Sequence, residues 1–181
     1  MPGFYDTGPL QQVAINLFYG WGYNFYRKEN QLRADDLLIR SKVGTLLGSA
    51  RKSVEAAESD YRRLFLPPPT REKPRPDPEA VAGAQAIERI SHSIGALAAQ
   101  MTSLPVPENN RMIQRHREEA PTLQRLLESD QLLTGQAETL RIMLEHKDGK
   151  WILENTGSIE EGIGAITETL RNRQMLLFPA V

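Results

Sequence analysis

The run IRSKVGTLLGSARKSVEAAESDYRRL, Ile39 to Leu64, decides the fold class. Its apolar residues Ile39, Val43, Leu46, Ala50, Val54, Ala57, Tyr61 and Leu64 are spaced 4-3-4-4-3-4-3, an average just under one helical turn. A strand would alternate every second residue; this stripe instead draws a narrow apolar seam along one side of an amphipathic helix. Extended backwards, the same face picks up Leu32, Phe25, Trp21, Leu17 and Leu10, with Pro9 at a first-turn position where proline is tolerated.

Proline marks where the stripe stops. LPPPTREKPRPDP, Leu66 to Pro78, holds six prolines in 13 residues and reads as an extended, semi-rigid connector. Its Pro-x-x-Pro-like spacing also suits a recognition segment, but a spacer between helices is the simpler reading. A second break, SLPVPENN, covers residues 103–110. Between and beyond these breaks the helical period returns. Ile87, Ile90, Ile94, Leu97, Met101 and Leu104 form one stripe; Ile113, Ala120, Leu123, Leu127, Leu133, Ala137, Leu140 and Leu144 form another. Pro121 interrupts the latter, which predicts a short helix before it and a longer one from it onward. After the turn signals KDGK (147–150) and NTGS (155–158), Ser158 and Glu161 suggest a capping box opening a helix with Ile159, Ile163, Ile166 and Leu170. KWILEN at 150–155 reads as a short extended piece. The expectation is one all-α domain over residues 1–181, with four to five helices arranged as an up-down bundle or as long antiparallel helical hairpins.

The length of the first helix poses a question. Unbroken from Pro9 to Leu66 it would run about 85 Å at about 1.5 Å per residue, whereas a compact chain of this size has a radius of gyration of about 16 Å. Either it breaks at Gly20 and Gly22, or the molecule is elongated and its seam is completed by another copy.

The N-terminal segment, residues 1–28, bears directly on that choice. NLFYGWGYNFYRK places six aromatic residues in the nine positions 18–26, and eight of the chain's twelve lie between Phe4 and Tyr26. On a helix Phe18, Trp21 and Phe25 share one face, while Tyr19, Tyr23 and Tyr26 spread round the other. One side can enter the core; the second stays exposed unless something covers it. Aromatic residues bury large areas at small entropic cost and are enriched at interfaces, so these six are candidate interface residues. A second set, Gly44 and Gly48 with Ser91, Gly95 and Ala99, has the four-residue spacing that permits close helix packing, between the two stripes or with another copy.

Composition narrows the function classes. A net charge of −1 offers no general attraction to nucleic acid. The charge is uneven: residues 27–75 carry 12 Lys/Arg against 7 Asp/Glu, and residues 76–181 carry 10 against 15. That fits oppositely charged elements packed together. No cysteine is present, which removes disulfides, thiolate metal sites and cysteine nucleophiles. Thr7 to Tyr26 is uncharged for 20 residues, yet its Gln, Asn and Gly interrupt any continuous apolar run, and no secretory leader pattern precedes it. A cytoplasmic location is the default expectation.

Catalytic signatures are missing from the text: no Gly-Lys-Ser/Thr phosphate loop, no dinucleotide fingerprint, no Gly-x-Ser-x-Gly elbow. His92, His116 and His146 lack the Glu-x-x-His pairing of a bundle metal site, and Glu88 with His92 has the spacing of a surface ion pair. The carboxylate doublets Asp35–Asp36, Glu118–Glu119 and Glu160–Glu161 are adjacent on a helix and do not face each other. The reading is therefore an assembly or protein-interaction protein, homo-oligomeric or partner-binding through Phe18, Tyr19, Trp21, Tyr23, Phe25 and Tyr26. No cofactor, metal or catalytic residue is assigned. The alternatives are a peripheral membrane protein using the same rings with Arg27 and Lys28, and a helical-bundle enzyme or sensor holding a metal or small ligand.

Overall fold

The computed structural model describes residues 3–22, 31–71, 75–103 and 119–177. Among these residues it is all-helical: α1 (Thr7–Trp21), α2 (Gln31–Phe65), α3 (Pro78–Ser103), α4 (Glu119–Leu144), α5 (Gly149–Glu154) and α6 (Thr156–Leu177). The fold class stands as read from the sequence, with six helices among the described residues in place of four to five. The additional helix is α5. The run expected to be extended turns helical because Asp148 accepts a hydrogen bond from the Trp151 amide at 2.9 Å and Ile152 is drawn fully into the core. A near-continuous path then leads into α6: Asn155 donates from its backbone and from Nδ2 to the Trp151 carbonyl, at 3.0 and 2.8 Å. Helix α6 thus starts at Thr156, which puts Ser158 inside the helix and removes its capping-box role.

The break at Gly20–Gly22 is present. Gly22 adopts φ 73, ψ 33 and its N–H returns to the Phe18 carbonyl at 3.1 Å, closing α1 with a left-handed residue. Pro121 lies in the first turn of α4, which begins slightly before it.

Two long hairpins form the body. Helices α2 and α3 run antiparallel, with Arg62 on Glu88, Ser91 on Glu55 and Gly95 under Arg51. Helices α4 and α6 form the second antiparallel pair, joined through α5. The hairpins lie side by side with α2 against α4 and α3 against α6. Asp36 near the start of α2 shares an arginine with Asp130 of α4, and Tyr61 near its end abuts Gly149 just beyond α4, so α2 and α4 are parallel. One core draws on all six helices, from Ala14 and Phe18 through Val43, Val54, Ile94, Leu133, Ile152 and Leu170. The seam of α2 passes through Leu47 with Leu46 at its edge, and it ends before Leu64, which is 69% exposed. No helix of the described residues is long and apolar enough to cross a membrane.

Helix α1 is a strap. It lies across the outer side of α4, from Phe4 beside Gly162 of α6 to Trp21 beside Lys42 of α2. The crossing is tight at Gly135, where a Cβ would run into the Leu10 carbonyl group, and Gln136 Nε2 donates to the Phe4 carbonyl at 3.0 Å. With α2 and α6 inside and α1 outside, every residue of α4 from Leu133 to Leu140 is buried. Fully burying Leu10 and Phe18 contributes about 1.5–3 kcal/mol each.

Candidate functional site

Two features stand apart from an ordinary apolar bundle, and both lie around α4. The first is a buried layer of charge. Arg173 of α6 donates from Nε to Asp130 Oδ1 of α4 at 2.5 Å and from Nη1 to Asp36 Oδ1 of α2 at 2.7 Å. Arg40, one turn along α2, pairs with Asp36 Oδ2 at 2.8 Å. Asp36 and Asp130 are completely buried, Arg173 is 2% exposed and Arg40 5%. Among the described residues the layer sets two carboxylates against two guanidiniums. Arg173 reaches across the bundle to hold three helices in one register.

These residues were not singled out in the sequence, although a signal for them exists. Asp36, Arg40, Val43, Leu47, Ala50, Val54 and Ala57 follow a strict 4-3 alternation, as do Leu126, Asp130, Leu133, Ala137, Leu140 and Leu144, and Ile159, Ile163, Ile166, Leu170 and Arg173. Each charge occupies a seam position of its helix. In sequence Asp36 stands out only as half of the Asp35–Asp36 doublet.

The second feature is the strap's outer side. Leu10, Ala14 and Phe18 face inward, while Tyr19 is 83% exposed and Tyr5 58%. Trp21 is half-buried, 5.9 Å from the Phe18 ring, with Lys42 Nζ 5.7 Å from its centroid. Of the six rings expected at an interface, Phe18 is 1% exposed and packs in the chain's own core. Tyr19 and the open side of Trp21 remain available; Tyr23, Phe25 and Tyr26, like Arg27 and Lys28, lie outside the described residues. On α4, Thr134 Oγ1 and Gln136 Oε1 are buried without a hydrogen-bond partner among the described residues.

The small-residue stripes do not meet. A Cβ at Gly44 or Gly48 would touch nothing within 4 Å, whereas Gly95 lies beneath the Arg51 guanidinium, Ser91 faces Glu55 and Ala99 is exposed. The antiparallel register sets α3's stripe against the long charged side chains of α2, so close packing of the two stripes on each other within the chain is not observed.

Elsewhere the polar chemistry is that of a solvated surface. Arg62 pairs with Glu58 and Glu88, and the hydrogen bond it donates to Glu58 raises its pKa. Arg141 clasps Glu138 through two hydrogen bonds of 2.7 and 2.8 Å, which likewise raises its pKa. Glu88 is thus engaged by an arginine, and His92, four residues on, is exposed. No group of three or more metal-ligating side chains is assembled among the described residues; His116 lies outside them. An open cleft of about 730 Å³ lies between the end of α2 and the connector, lined by Leu64, Phe65, Pro67 to Pro69 and Val81. Compared with known protein families, curated proteins and solved structures, the chain matches none.

Proposed function

We propose that this protein works by association, as an assembly or protein-interaction module that joins copies of itself or a partner protein through the aromatic strap. The observation that carries this reading is the division of the strap into two sides. One side is spent on the core. The other presents the Tyr19 ring, 83% exposed, next to the half-buried Trp21 and immediately before a segment with three further rings. Large rings left in water are costly, and they supply binding energy at the centres of interfaces.

Truncating the N-terminal residues is a poor test, because Leu10 and Phe18 would be lost from the core with them. Substituting Tyr19 by Ser leaves the inward side intact. Light scattering of the full chain without detergent should give a mass above the 20.4 kDa of one chain, and Tyr19→Ser should lower it or weaken the association at least tenfold. A wild-type chain that stays at the monomer mass across the accessible concentration range overturns self-association.

A further inference from the structure

We infer that the connector between α2 and α3 is a docking segment, in which Pro67 to Arg71 presents a preformed polyproline stretch to a partner protein whose groove is lined by aromatic side chains and flanked by a carboxylate. This surface is separate from the strap. It lies roughly 35 Å along α2 from Lys42, which touches the strap at Trp21, so it stands or falls independently of the association reading.

The backbone is preset by composition. Each proline fixes its own φ near about −65° and pushes the residue before it out of the helical region, so Leu66 to Pro69 is confined to extended, polyproline-like conformations before any partner arrives. In the structure the chain bends at Leu66 and again at Arg71, and between them it runs without helix, strand or turn. Pro67, Pro68, Pro69, Thr70 and Arg71 are all exposed. A segment that is already extended loses little freedom on binding, which is why such runs dock in aromatic-lined grooves. With three residues per turn, Pro68 and Arg71 fall on one edge of a continued polyproline helix. The partner then needs a pocket for the proline ring and a carboxylate for the guanidinium about 9 Å apart.

A bare spacer has no need of this length. Helices α2 and α3 already touch near their join: Tyr61, one turn before the end of α2, lies against Gly83, and Arg62 reaches Glu88. Reversal between packed helices takes about 2–8 residues, and residues 66–77 exceed that. The surplus stands off the bundle. Between it and the helices lies the open cleft of about 730 Å³, bounded on the helix side by Leu64, Phe65 and Val81. A partner's rings can therefore reach the prolines from the cleft as well as from solvent, and Leu64, 69% exposed, extends the apolar contact onto α2. The charge fits as well. Arg71 and Arg75 are exposed, while Asp77 is spent on the start of α3, where it accepts a hydrogen bond from the Glu79 amide at 3.0 Å.

The test titrates the full chain with three purified probes that bind polyproline helices through aromatic grooves, an SH3 domain, a WW domain and an EVH1 domain, and reads binding by isothermal titration calorimetry. At least one probe is expected to bind. The triple substitution Pro67→Ala/Pro68→Ala/Pro69→Ala should weaken that binding by about tenfold or more, since it removes the preset backbone and the ring contacts together. Arg71→Glu leaves the prolines in place and should weaken the same probe by about fivefold or more, whereas Arg89→Glu, an exposed arginine on α3, should leave it unchanged. All the substituted side chains lie outside the core, so circular dichroism should stay at wild type; if the triple variant does lose helix, Arg71→Glu decides alone. No binding by any of the three probes, or binding that survives either substitution, overturns the inference and leaves the connector a spacer.

Discussion

Replacing Arg173 by Met tests the buried charge layer. The methionine keeps most of the stem volume but removes the guanidinium that Asp36 and Asp130 share, and both carboxylates are completely buried. Breaking a buried pair by removing one partner costs about 3–5 kcal/mol, because each buried carboxylate loses a charge-assisted partner that water cannot replace. Against a typical total of about 5–15 kcal/mol for a folded domain, that is a large share. At about 2–4 °C per kcal/mol for a chain of this length, the melting midpoint should fall by roughly 6–20 °C. Urea titration followed by circular dichroism measures the free-energy difference directly, and Arg171→Met, an exposed arginine on the same helix turn, serves as control within about 0.5 kcal/mol. The complementary variant replaces the whole layer, Asp36→Leu, Arg40→Met, Asp130→Leu and Arg173→Met. With these four charges removed together, it should lose less stability than Arg173→Met alone. A loss below about 1 kcal/mol for Arg173→Met alone, or a quadruple variant as damaged as the single one, would refute the account of the layer as a matched, mutually dependent set.

Two further substitutions probe the strap and the surface. Gly135→Ala drives a methyl group into the Leu10 carbonyl, so α1 must lift from α4; the expected cost is about 1–3 kcal/mol by thermal melting, with α1 becoming the first site of limited proteolysis. Arg62→Ala removes exposed pairs with Glu58 and Glu88, and should cost less than about 1 kcal/mol, with the difference shrinking further at 1 M salt.

The helices were legible where periodicity is a local property. The stripe through Val43, Ala50, Val54 and Ala57 and the stripe from Ile87 to Met101 are buried as read, since an amphipathic helix has one inner side and the spacing draws it. Proline and glycine punctuation was equally informative: the long connector opens at Leu66 and α1 stops at Gly22. What failed was decided by tertiary contacts. The β-branched and aromatic character of Trp151 to Leu153 favours a strand, but six residues held by Asp148 on one side and pulled into the core by Ile152 become a helix. Leu46 and Leu47 are equally apolar, and only the partner helices choose Leu47.

The site was hidden for a different reason. A stripe reading collects apolar residues, so it stepped from Val43 to Ile39 and passed over Arg40 and Asp36, though both continue the 4-3 alternation without a gap. Read strictly, the period asks why a charge sits in a seam, and an opposite charge in the seam of another helix is the physical answer. The pairing of α2 with α4 and α6 therefore has a trace in the text: Asp36 and Arg40 in one seam, Asp130 and Arg173 in two others. The burial of α4 leaves a fainter one. LTGQAETL, Leu133 to Leu140, reads as a helix with a polar outer side, and it is covered only because α1 crosses it. The permission for that crossing is written as the missing side chain of Gly135, which by itself looks like a tolerated irregularity. A helix whose outer side is polar yet enclosed can keep its cover only while the cover's own contacts exceed the desolvation they impose. Gln136 shows both sides of that balance: its Nε2 donates to the Phe4 carbonyl of the strap, while its Oε1 is buried without a partner among the described residues, so one half of the amide offsets what burying the other half costs.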